Sequence, residues 1–263
     1  MQLLSAFVGA PETNRVYNCD ALSLLRALPD SSVDLVFIDP PYGNNNGVDD
    51  LAGARARDKV KGGRQRGEIS VIANDSRLDW EALIPSVLVE VNRVLKPSGG
   101  CCCCCMGGGG PEPHFARLAM WLDQYHEFFH AVVWDKSARG FGMGWRYRRN
   151  YEFIMVSHKR GGKLAWNENR GAQPNVINFH PTDNALHPTQ KPLSLVEFFI
   201  ENHTTPGQLV VDCFAGSGTT GLAARNLKRK YILSDIDAGY VAVMNKRLSQ
   251  DYTPSFMPIL EAV

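Results

Sequence analysis

An acid, two prolines and an aromatic residue follow an apolar stretch in the first part of the chain. The segment reads Asp39-Pro40-Pro41-Tyr42 and comes directly after residues 33–38. Prolines fix φ and stiffen the backbone, so Asp39 would be a rigid acceptor close to the aromatic face of Tyr42. This arrangement suits a flat ring with an exocyclic amine, because the ring stacks while the carboxylate and a backbone carbonyl accept the amine hydrogens. Two prolines alone are more often a plain turn after a strand.

A second pattern near the other end of the chain favours the chemical interpretation. Residues 209–211 are apolar and run into a turn of small residues and then a predicted helix over 221–227. Glycines let backbone N–H groups approach a ligand, and a helix N-terminus favours negative charge. Asp235 follows the next predicted strand, 230–234, at the position where a ribose diol is held. The segment therefore predicts a nucleoside cofactor site; the alternative is a tight turn and a surface acid. The candidate cofactor residues of the turn are Asp212, Phe214, Gly216, Ser217, Gly218, Thr219 and Thr220.

With a third segment, His187-Pro188-Thr189-Gln190-Lys191-Pro192, the chain resembles a family. It is similar over nearly its whole length to the amino-methylating DNA methyltransferases that use S-adenosylmethionine, in the circularly permuted arrangement called the beta group. The resemblance implies that residues 39–42 are the catalytic tetrapeptide and residues 212–220 the cofactor loop. It also implies that Asp235 binds the ribose of the cofactor and that Asp20 contacts the adenine amine. Lys191 is expected to lie near the methionine carboxylate. This sequence departs from the family pattern at Cys213, where proline is usual, at Asn18, where glycine is usual, and at Asp235, which is usually Glu.

The resemblance also implies a mechanism on double-stranded DNA. The target base leaves the duplex, since side chains cannot otherwise reach its amine. Asp39, which also lies against the cofactor, and the Pro40 carbonyl accept the two amine hydrogens while Tyr42 stacks on the ring. An Asp in first place resembles the adenine-N6 enzymes, whereas cytosine-N4 enzymes more often carry Ser, so adenine is favoured. Methylation of a protein glutamine, and a DNA-binding module without activity, are two further hypotheses. Methylation at cytosine C5 needs a cysteine nucleophile, typically in a Pro-Cys dipeptide, and that dipeptide does not occur in this sequence.

The net charge of the chain is only +1, so affinity for DNA must come from local clusters of basic residues. Two basic segments are predicted to contact DNA phosphates. The first is a flexible basic loop over 43–72, and the second interleaves basic and aromatic residues over 139–149. The alternative to DNA contact is a solvated loop for the segment 43–72, and ordinary packing of Trp145 and Tyr147 for the segment 139–149. Residues 157–186 lack periodicity and are predicted to be a small target-recognition insertion. The resemblance alone suggests a homodimer. The candidate DNA-binding residues are Arg55, Arg57, Lys59, Lys61, Arg64, Arg66, Arg146, Arg148 and Arg149.

The elements that must position these residues alternate between strands and helices. With 263 residues and 44% apolar content, the chain can bury one substantial core, which predicts a single domain over 1–263. The pattern predicts an α/β fold with a mostly parallel, doubly wound sheet of the Rossmann-like methyltransferase type and an antiparallel pair at one edge. The expected helices are 21–28, 80–95, 115–125, 193–202, 221–227 and 240–248. The expected strands are 33–38, the cysteine run at 101–105, 128–134, 151–156, 209–211 and 230–234.

Five consecutive cysteines, Cys101 to Cys105, are predicted to form a buried central strand. Neighbouring residues of a strand point to opposite faces of the sheet. Zinc sites use cysteine pairs spaced two to four residues apart, so a consecutive run predicts no metal site. Unpaired thiols in this number indicate a reducing cytoplasm. No apolar run reaches the roughly 20 residues that cross a bilayer, and the N-terminus does not resemble a signal peptide.

Overall fold

A computed structural model of the protein describes residue 7 and residues 9–41, 77–106, 114–136, 150–182, 186–187 and 189–249. The strands are β1 (Arg15–Asn18), β2 (Leu35–Ile38), β3 (Cys101–Met106), β4 (Glu127–Asp135), β5 (Tyr151–His158), β6 (Val176–Asn178), β7 (Leu209–Asp212) and β8 (Lys230–Asp235). The helices are α1 (Ala21–Ala27), α2 (Arg77–Val94), α3 (His114–Tyr125), α4 (Leu193–His203), α5 (Thr219–Asn226) and α6 (Ala238–Ser249). A short 3-10 helix covers Glu168–Arg170.

The strands form one sheet in the order β1-β8-β7-β2-β3-β5-β4-β6. Neighbouring strands are parallel except around β5, which is antiparallel to both β3 and β4. The predicted fold class is therefore confirmed. The antiparallel pair is not outermost, because β6 pairs with β4 in parallel and lies beyond it. Sequence patterns missed β1 and β6, which have only four and three residues and little apolar alternation.

Helices cover both faces of the sheet, as alternating strands and helices predict. Leucines and valines of α1, α2 and α3 pack on one face, and α4, α5 and α6 pack on the other. The cysteine run lies between them as the buried strand β3. Cys102 and Cys104 belong to the core under the first three helices, whereas Cys101, Cys103 and Cys105 belong to the opposite core. No helix among the described residues is long and apolar enough to span a bilayer.

A buried acid ties the sheet together at the end away from the predicted site. Asp34, which is 3% exposed, accepts hydrogen bonds from Lys96 Nζ (2.7 Å), Gln208 Nε2 (3.1 Å) and the Leu209 backbone N–H (2.9 Å). Leu209 begins β7, and Asp34 directly precedes β2. These bonds fix two central strands against each other, so their opposite ends are held in register.

The strand order reverses between β7 and β2, which are parallel neighbours with Val36 opposite Val211. From β7 the chain continues to β8 on one side, and from β2 it continues to β3 on the other. In open α/β sheets, ligands bind beyond the carboxyl ends of the strands at such a switch point. Asp39 follows β2 and the 212–218 turn follows β7, so the topology brings the two predicted motifs to this crevice.

Candidate active site

Asp39 stands directly beyond the carboxyl end of β2, the strand between β7 and β3. Pro40 is buried and Pro41 is half-buried, and both peptide bonds are trans, as all described peptide bonds are. The Asp39 side chain is 18% exposed and its Oδ2 accepts a 2.6 Å hydrogen bond from Lys191 Nζ. The structure thus gives Asp39 a firm orientation. Tyr42 lies outside the described residues, so its stacking role stays a prediction.

Lys191 is brought to Asp39 by the segment that precedes α4. Its side chain is only 7% exposed, and its ammonium also lies 3.4 Å from Glu152 Oε2 on β5. Burial alone would raise the pKa of Glu152, but the ammonium groups of Lys191 and Lys136 more than offset burial and hold that pKa below its usual value. Lys191 therefore bridges two carboxylates. Its predicted place near the methionine carboxylate of the cofactor stays a prediction.

Asp212, at the end of β7, shapes the turn that follows it. Its Oδ1 accepts from the Phe214 backbone N–H at 2.9 Å, and its Oδ2 accepts from Thr220 Oγ1 at 2.6 Å. Burial raises the pKa of Asp212 to about 7, and nearby Asp39 and Asp235 add to the shift. The carboxyl group thus links the start of the turn to the first turn of α5.

Two glycines give this turn a backbone that other residues rarely adopt. Gly216 has φ +48° and Gly218 has φ +76°. A Cβ at Gly216 would lie 3.1 Å from the His187 ring, whereas one at Gly218 would lie 2.8 Å from Met244 Cγ of α6. Gly216 therefore lies beside His187, the first residue of the third sequence motif, while Gly218 permits close packing of the turn against α6.

The hydroxyl residues of the turn face inward. Ser217, Thr219 and Thr220 are buried, and Ser217 Oγ lies 3.2 Å from Thr219 Oγ1. Arg247 of α6 donates from Nη1 to the Ser217 carbonyl at 3.0 Å and to Thr219 Oγ1 at 3.1 Å. These three predicted cofactor residues therefore hold the shape of the turn in this structure.

Asp235 ends β8 and closes the site on the side of β1. Its Oδ2 accepts from the Gly216 backbone N–H at 2.9 Å, and its Oδ1 accepts from the Asp237 N–H at 2.9 Å. Burial raises the pKa of Asp235. Asn18, opposite Asp235 in the sheet, donates from Nδ2 to the Asp235 carbonyl at 3.0 Å. The structure thus connects the predicted ribose acid directly to the glycine turn.

Asp20 lies near this edge as the N-cap of α1. Its Oδ1 accepts from the Ser23 backbone N–H at 2.9 Å, and its Oδ2 accepts from Ser23 Oγ at 2.6 Å. Burial alone would raise the pKa of Asp20, but the bonds from Ser23 outweigh it and lower that pKa. A carboxylate can accept about four hydrogen bonds, so capping leaves capacity for a further donor. The predicted contact of Asp20 with an adenine amine stays a prediction.

The predicted DNA-binding residues all fall in 43–72 and 139–149, outside the described residues. The predicted recognition insertion 157–186 is described except for 183–185. It contains the end of β5, the 3-10 helix and β6, and it buries Ala165 and Ile177 in the core. Part of this segment therefore completes the sheet. Its role in target recognition stays a prediction.

Cys101, Cys103 and His203 form the one group of possible metal ligands among the described residues. The two Sγ atoms are 3.8 Å apart, and His203 Nδ1 lies 2.8 Å from the Ala165 carbonyl oxygen. All three side chains are buried in the core under α4. Burial raises the pKa of Cys103 well above its usual value, which favours the thiol over the thiolate that metals bind. The arrangement is better explained as a hydrogen-bonded part of the core.

Sequence patterns missed three residues that the structure places at the site. Glu152 and Lys136 continue the charged contacts of Lys191, and Arg247 fixes the turn. One signal was available for Glu152, since an acid inside an apolar strand must find a positive partner when it is buried. Arg247 gives no such signal, because a basic residue in the last turn of a helix is ordinary.

Three carboxyl groups, those of Asp39, Asp212 and Asp235, converge at the ends of β2, β7 and β8. Their mutual influence is seen in the raised pKa of Asp212, where Asp39 and Asp235 both contribute after burial. Such a crevice suits a ligand with positive charge, and Asp235 beside a glycine turn suits a ribose diol. The residues present therefore fit S-adenosylmethionine, which carries a sulfonium, an ammonium and a ribose.

Residues 33–246 match the family model for N6/N4 methyltransferases, described as DNA methylase. The chain belongs to this family. It is 28% identical to the DNA adenine methyltransferase YhdJ of Escherichia coli strain K12, over 90% of this chain and 83% of that protein. Among solved structures, the M1.HpyAVI–SAM complex superposes with a TM-score of 0.64 at 22% identity, covering 90% of this chain and 99% of that one. The cytosine-N4-specific PvuII DNA methyltransferase also has a TM-score of 0.64, at 23% identity and 94% and 89% coverage.

Membership makes this chain a DNA methyltransferase of a family whose methyl donor is S-adenosylmethionine. The two structural neighbours confirm the Rossmann-like methyltransferase fold expected from the sequence. Family membership leaves two target amines, adenine N6 and cytosine N4, because the family includes both kinds of enzyme.

Proposed function

We propose that this methyltransferase acts on adenine N6 in double-stranded DNA. The observation that carries the proposal is Asp39, a charged acceptor fixed by Lys191 beyond the end of the central strand β2. The family relative YhdJ, itself named a DNA adenine methyltransferase, supports the same target. The alternative target is cytosine N4. The cytosine-N4-specific PvuII enzyme is similar to this chain in fold alone, so its target carries no weight for this chain.

Asp39 and the Pro40 carbonyl act on the target amine. The amine lone pair is delocalised into the base ring, so N6 is a poor nucleophile until its hydrogens are held by acceptors. Two hydrogen bonds, to the Asp39 carboxylate and to the Pro40 carbonyl, would orient N6 and favour tetrahedral geometry at the nitrogen. Accepting a methyl group from the sulfonium, which would leave as a neutral thioether, would give the nitrogen a positive charge. The Asp39 carboxylate would stabilise that charge until water takes up the proton that the amine loses.

The cofactor is assigned to the crevice between β2, β7 and β8. Gly216 gives backbone access, Gly218 lets the turn pack against α6, Asp235 takes the ribose hydroxyls, and Asp20 and Phe214 contact the adenine. Asp212, Ser217, Thr219 and Thr220 keep the turn in shape, and Lys191 and Asp39 close the end where the methyl group is presented. S-adenosylmethionine, when bound there, supplies an electrophilic methyl group.

DNA is assigned to the two basic segments, with Tyr42 stacking on the extruded base. If Arg55, Arg57, Lys59 and Lys61 contact phosphates, neutralising them should weaken binding to all sequences. The slope of log affinity against log salt should flatten by about 0.9 for each phosphate that is no longer neutralised. An unchanged slope would refute this assignment. A homodimer and a cytoplasmic location also stay predictions, and a strictly monomeric, fully active enzyme in sedimentation would remove the first.

Modified substrates test the target directly. A duplex of random sequence in which every adenine is replaced by 2-aminopurine has no amine at ring position 6 and should accept no labelled methyl group. The matched duplex keeps ordinary adenine and carries 2-pyrimidinone, which has no N4 amine, in place of cytosine; it should be methylated like unmodified DNA. Equal labelling of the 2-aminopurine duplex would refute the proposal and favour cytosine N4.

A further inference from the structure

A row of four charged side chains with alternating sign ends at Asp39. Lys136 contacts Glu152 Oε1, Glu152 Oε2 lies 3.4 Å from Lys191 Nζ, and Lys191 Nζ lies 2.6 Å from Asp39 Oδ2. The exposed fractions are 21% for Lys136, 13% for Glu152 and 7% for Lys191. Two positive and two negative charges thus compensate one another where water has little access.

Strands β4 and β5 build the far end of this row. Trp134 pairs with Glu152 in the sheet, and the Lys136 backbone N–H donates to the Asn150 carbonyl at 2.7 Å. The Lys136 ammonium lies 4.8 Å from the centre of the Trp134 ring, a cation–π distance. The Trp134 indole in turn donates to the Phe179 carbonyl at 2.8 Å. Lys136 is therefore fixed from two sides, and it fixes one oxygen of Glu152.

The other oxygen of Glu152 faces Lys191. A buried carboxylate is costly unless it is paired, so Glu152 gains its stability from the two ammonium groups on either side. The same holds for Lys191, which is shared between Glu152 and Asp39. Removing the negative charge of Glu152 would leave Lys136 and Lys191 close together without their common counter-ion. The ammonium of Lys191 would then be expected to move, and Asp39 with it.

We propose that Glu152 is a positioning residue that orients the catalytic Asp39 through Lys191. A carboxylate offers about four acceptor sites, so the bond from Lys191 sets the plane of the Asp39 group and leaves capacity for the amine. Glu152 anchors that bond from the opposite side of the ammonium. The inference rests on the proposed function, in which Asp39 accepts a hydrogen bond from the target amine.

The test is turnover by Glu152→Gln, which keeps the size of the side chain and removes its charge. We expect kcat to fall about ten- to a hundredfold, since a misplacement near 1 Å can cost about a hundredfold. The dissociation constants for S-adenosylmethionine and for DNA should stay within about twofold of wild type. The matched control is Glu201→Gln, because Glu201 also pairs with a cation, Arg170 Nη1 at 3.2 Å, but lies on α4 away from Asp39. Its kcat should equal that of wild type.

A double variant separates positioning from a general loss of stability. Lys136→Met with Glu152→Gln removes one charge of each sign, so it should fold even if Glu152→Gln does not. Its kcat should be no lower than that of Glu152→Gln, because Lys136 acts through Glu152. A kcat within twofold of wild type in either Glu152 variant would refute the proposal, as would a loss of cofactor affinity that equals the loss of kcat. A wild-type enzyme that methylates cytosine N4 would instead refute the proposed function.

Discussion

Replacing Gly218 by alanine tests how the turn after β7 is built. The residue has φ +76°, and a Cβ there would lie 2.8 Å from Met244 Cγ and 3.4 Å from Met244 Cβ. Met244 is fully buried in α6, so it cannot move into solvent to relieve the contact. The substitution therefore adds backbone strain and overpacking at one position.

The two costs have separate magnitudes. A left-handed backbone costs a residue with a Cβ about 1–2 kcal/mol. Overpacking a well-filled core by a methyl group costs about 1–3 kcal/mol. Gly218→Ala should thus lower the free energy of unfolding by about 2–5 kcal/mol. Because the turn must shift against α6, the affinity for S-adenosylmethionine should fall about tenfold, which is about 1.4 kcal/mol.

Gly161→Ala is the matched control. Gly161 has a similar φ of +70°, and within the described part of the chain no atom lies within 4 Å of a Cβ added there. The free energy of unfolding of this variant should fall only by the backbone strain of about 1–2 kcal/mol, and the variant should bind cofactor like wild type. Denaturant unfolding and titration calorimetry measure the two quantities. Equal stability of the two alanine variants, or normal cofactor affinity in Gly218→Ala, would refute the role given to Gly218.

Three further predictions concern buried or catalytic acids. Asp39→Ala should bind cofactor like wild type but lose about a hundred- to a thousandfold in kcat, whereas Asp39→Asn should keep some activity through its amide oxygen; an active alanine variant would contradict this. Burial raises the pKa of Asp212 to about 7, so the folded state binds a proton at this carboxyl group more tightly than the unfolded state does. The protonated carboxyl group therefore stabilises the fold at low pH, and this contribution to the free energy of unfolding is lost as pH rises from about 4 to about 7. The melting temperature of Asp212→Asn relative to wild type should therefore rise between pH 5 and pH 8, and parallel curves would contradict the assignment. Asp34→Ala should cost about 1–3 kcal/mol in denaturant unfolding because it leaves the Leu209 backbone N–H without its acceptor, whereas Asp30→Ala, with an exposed carboxylate, should cost under about 1 kcal/mol; similar losses would contradict the role of Asp34.

Much of the fold follows from local patterns. Helix α2 repeats apolar residues at helical spacing, and the cysteine run is predicted to be a buried strand, which β3 is. The short strands β1 and β6 could not be predicted, because each is held by pairing with a distant strand rather than by its own residues. The order of the strands likewise depends on contacts between β2 and β7 that lie far apart in sequence.

The residues of the candidate site that belong to sequence motifs could be predicted. The residues that reach the site only through tertiary contacts could not. Asp39, Gly216 and Asp235 come together as expected, since parallel strands end at the same edge of the sheet. The charged row behind Asp39 could not be predicted, because Glu152 and Lys191 meet only through the antiparallel strand β5 and the segment before α4. The motif gave Lys191 a role toward the cofactor, and the structure adds its bond to Asp39.

Above all, Asp39 should direct methyl transfer to adenine N6. Mass spectrometry of nucleosides from DNA methylated by the wild-type enzyme measures this outcome, with Asp39→Ala as the matched control. We expect N6-methyladenine with wild type and almost none with Asp39→Ala. Finding N4-methylcytosine as the product, or equal amounts of N6-methyladenine from both enzymes, would contradict the role of Asp39.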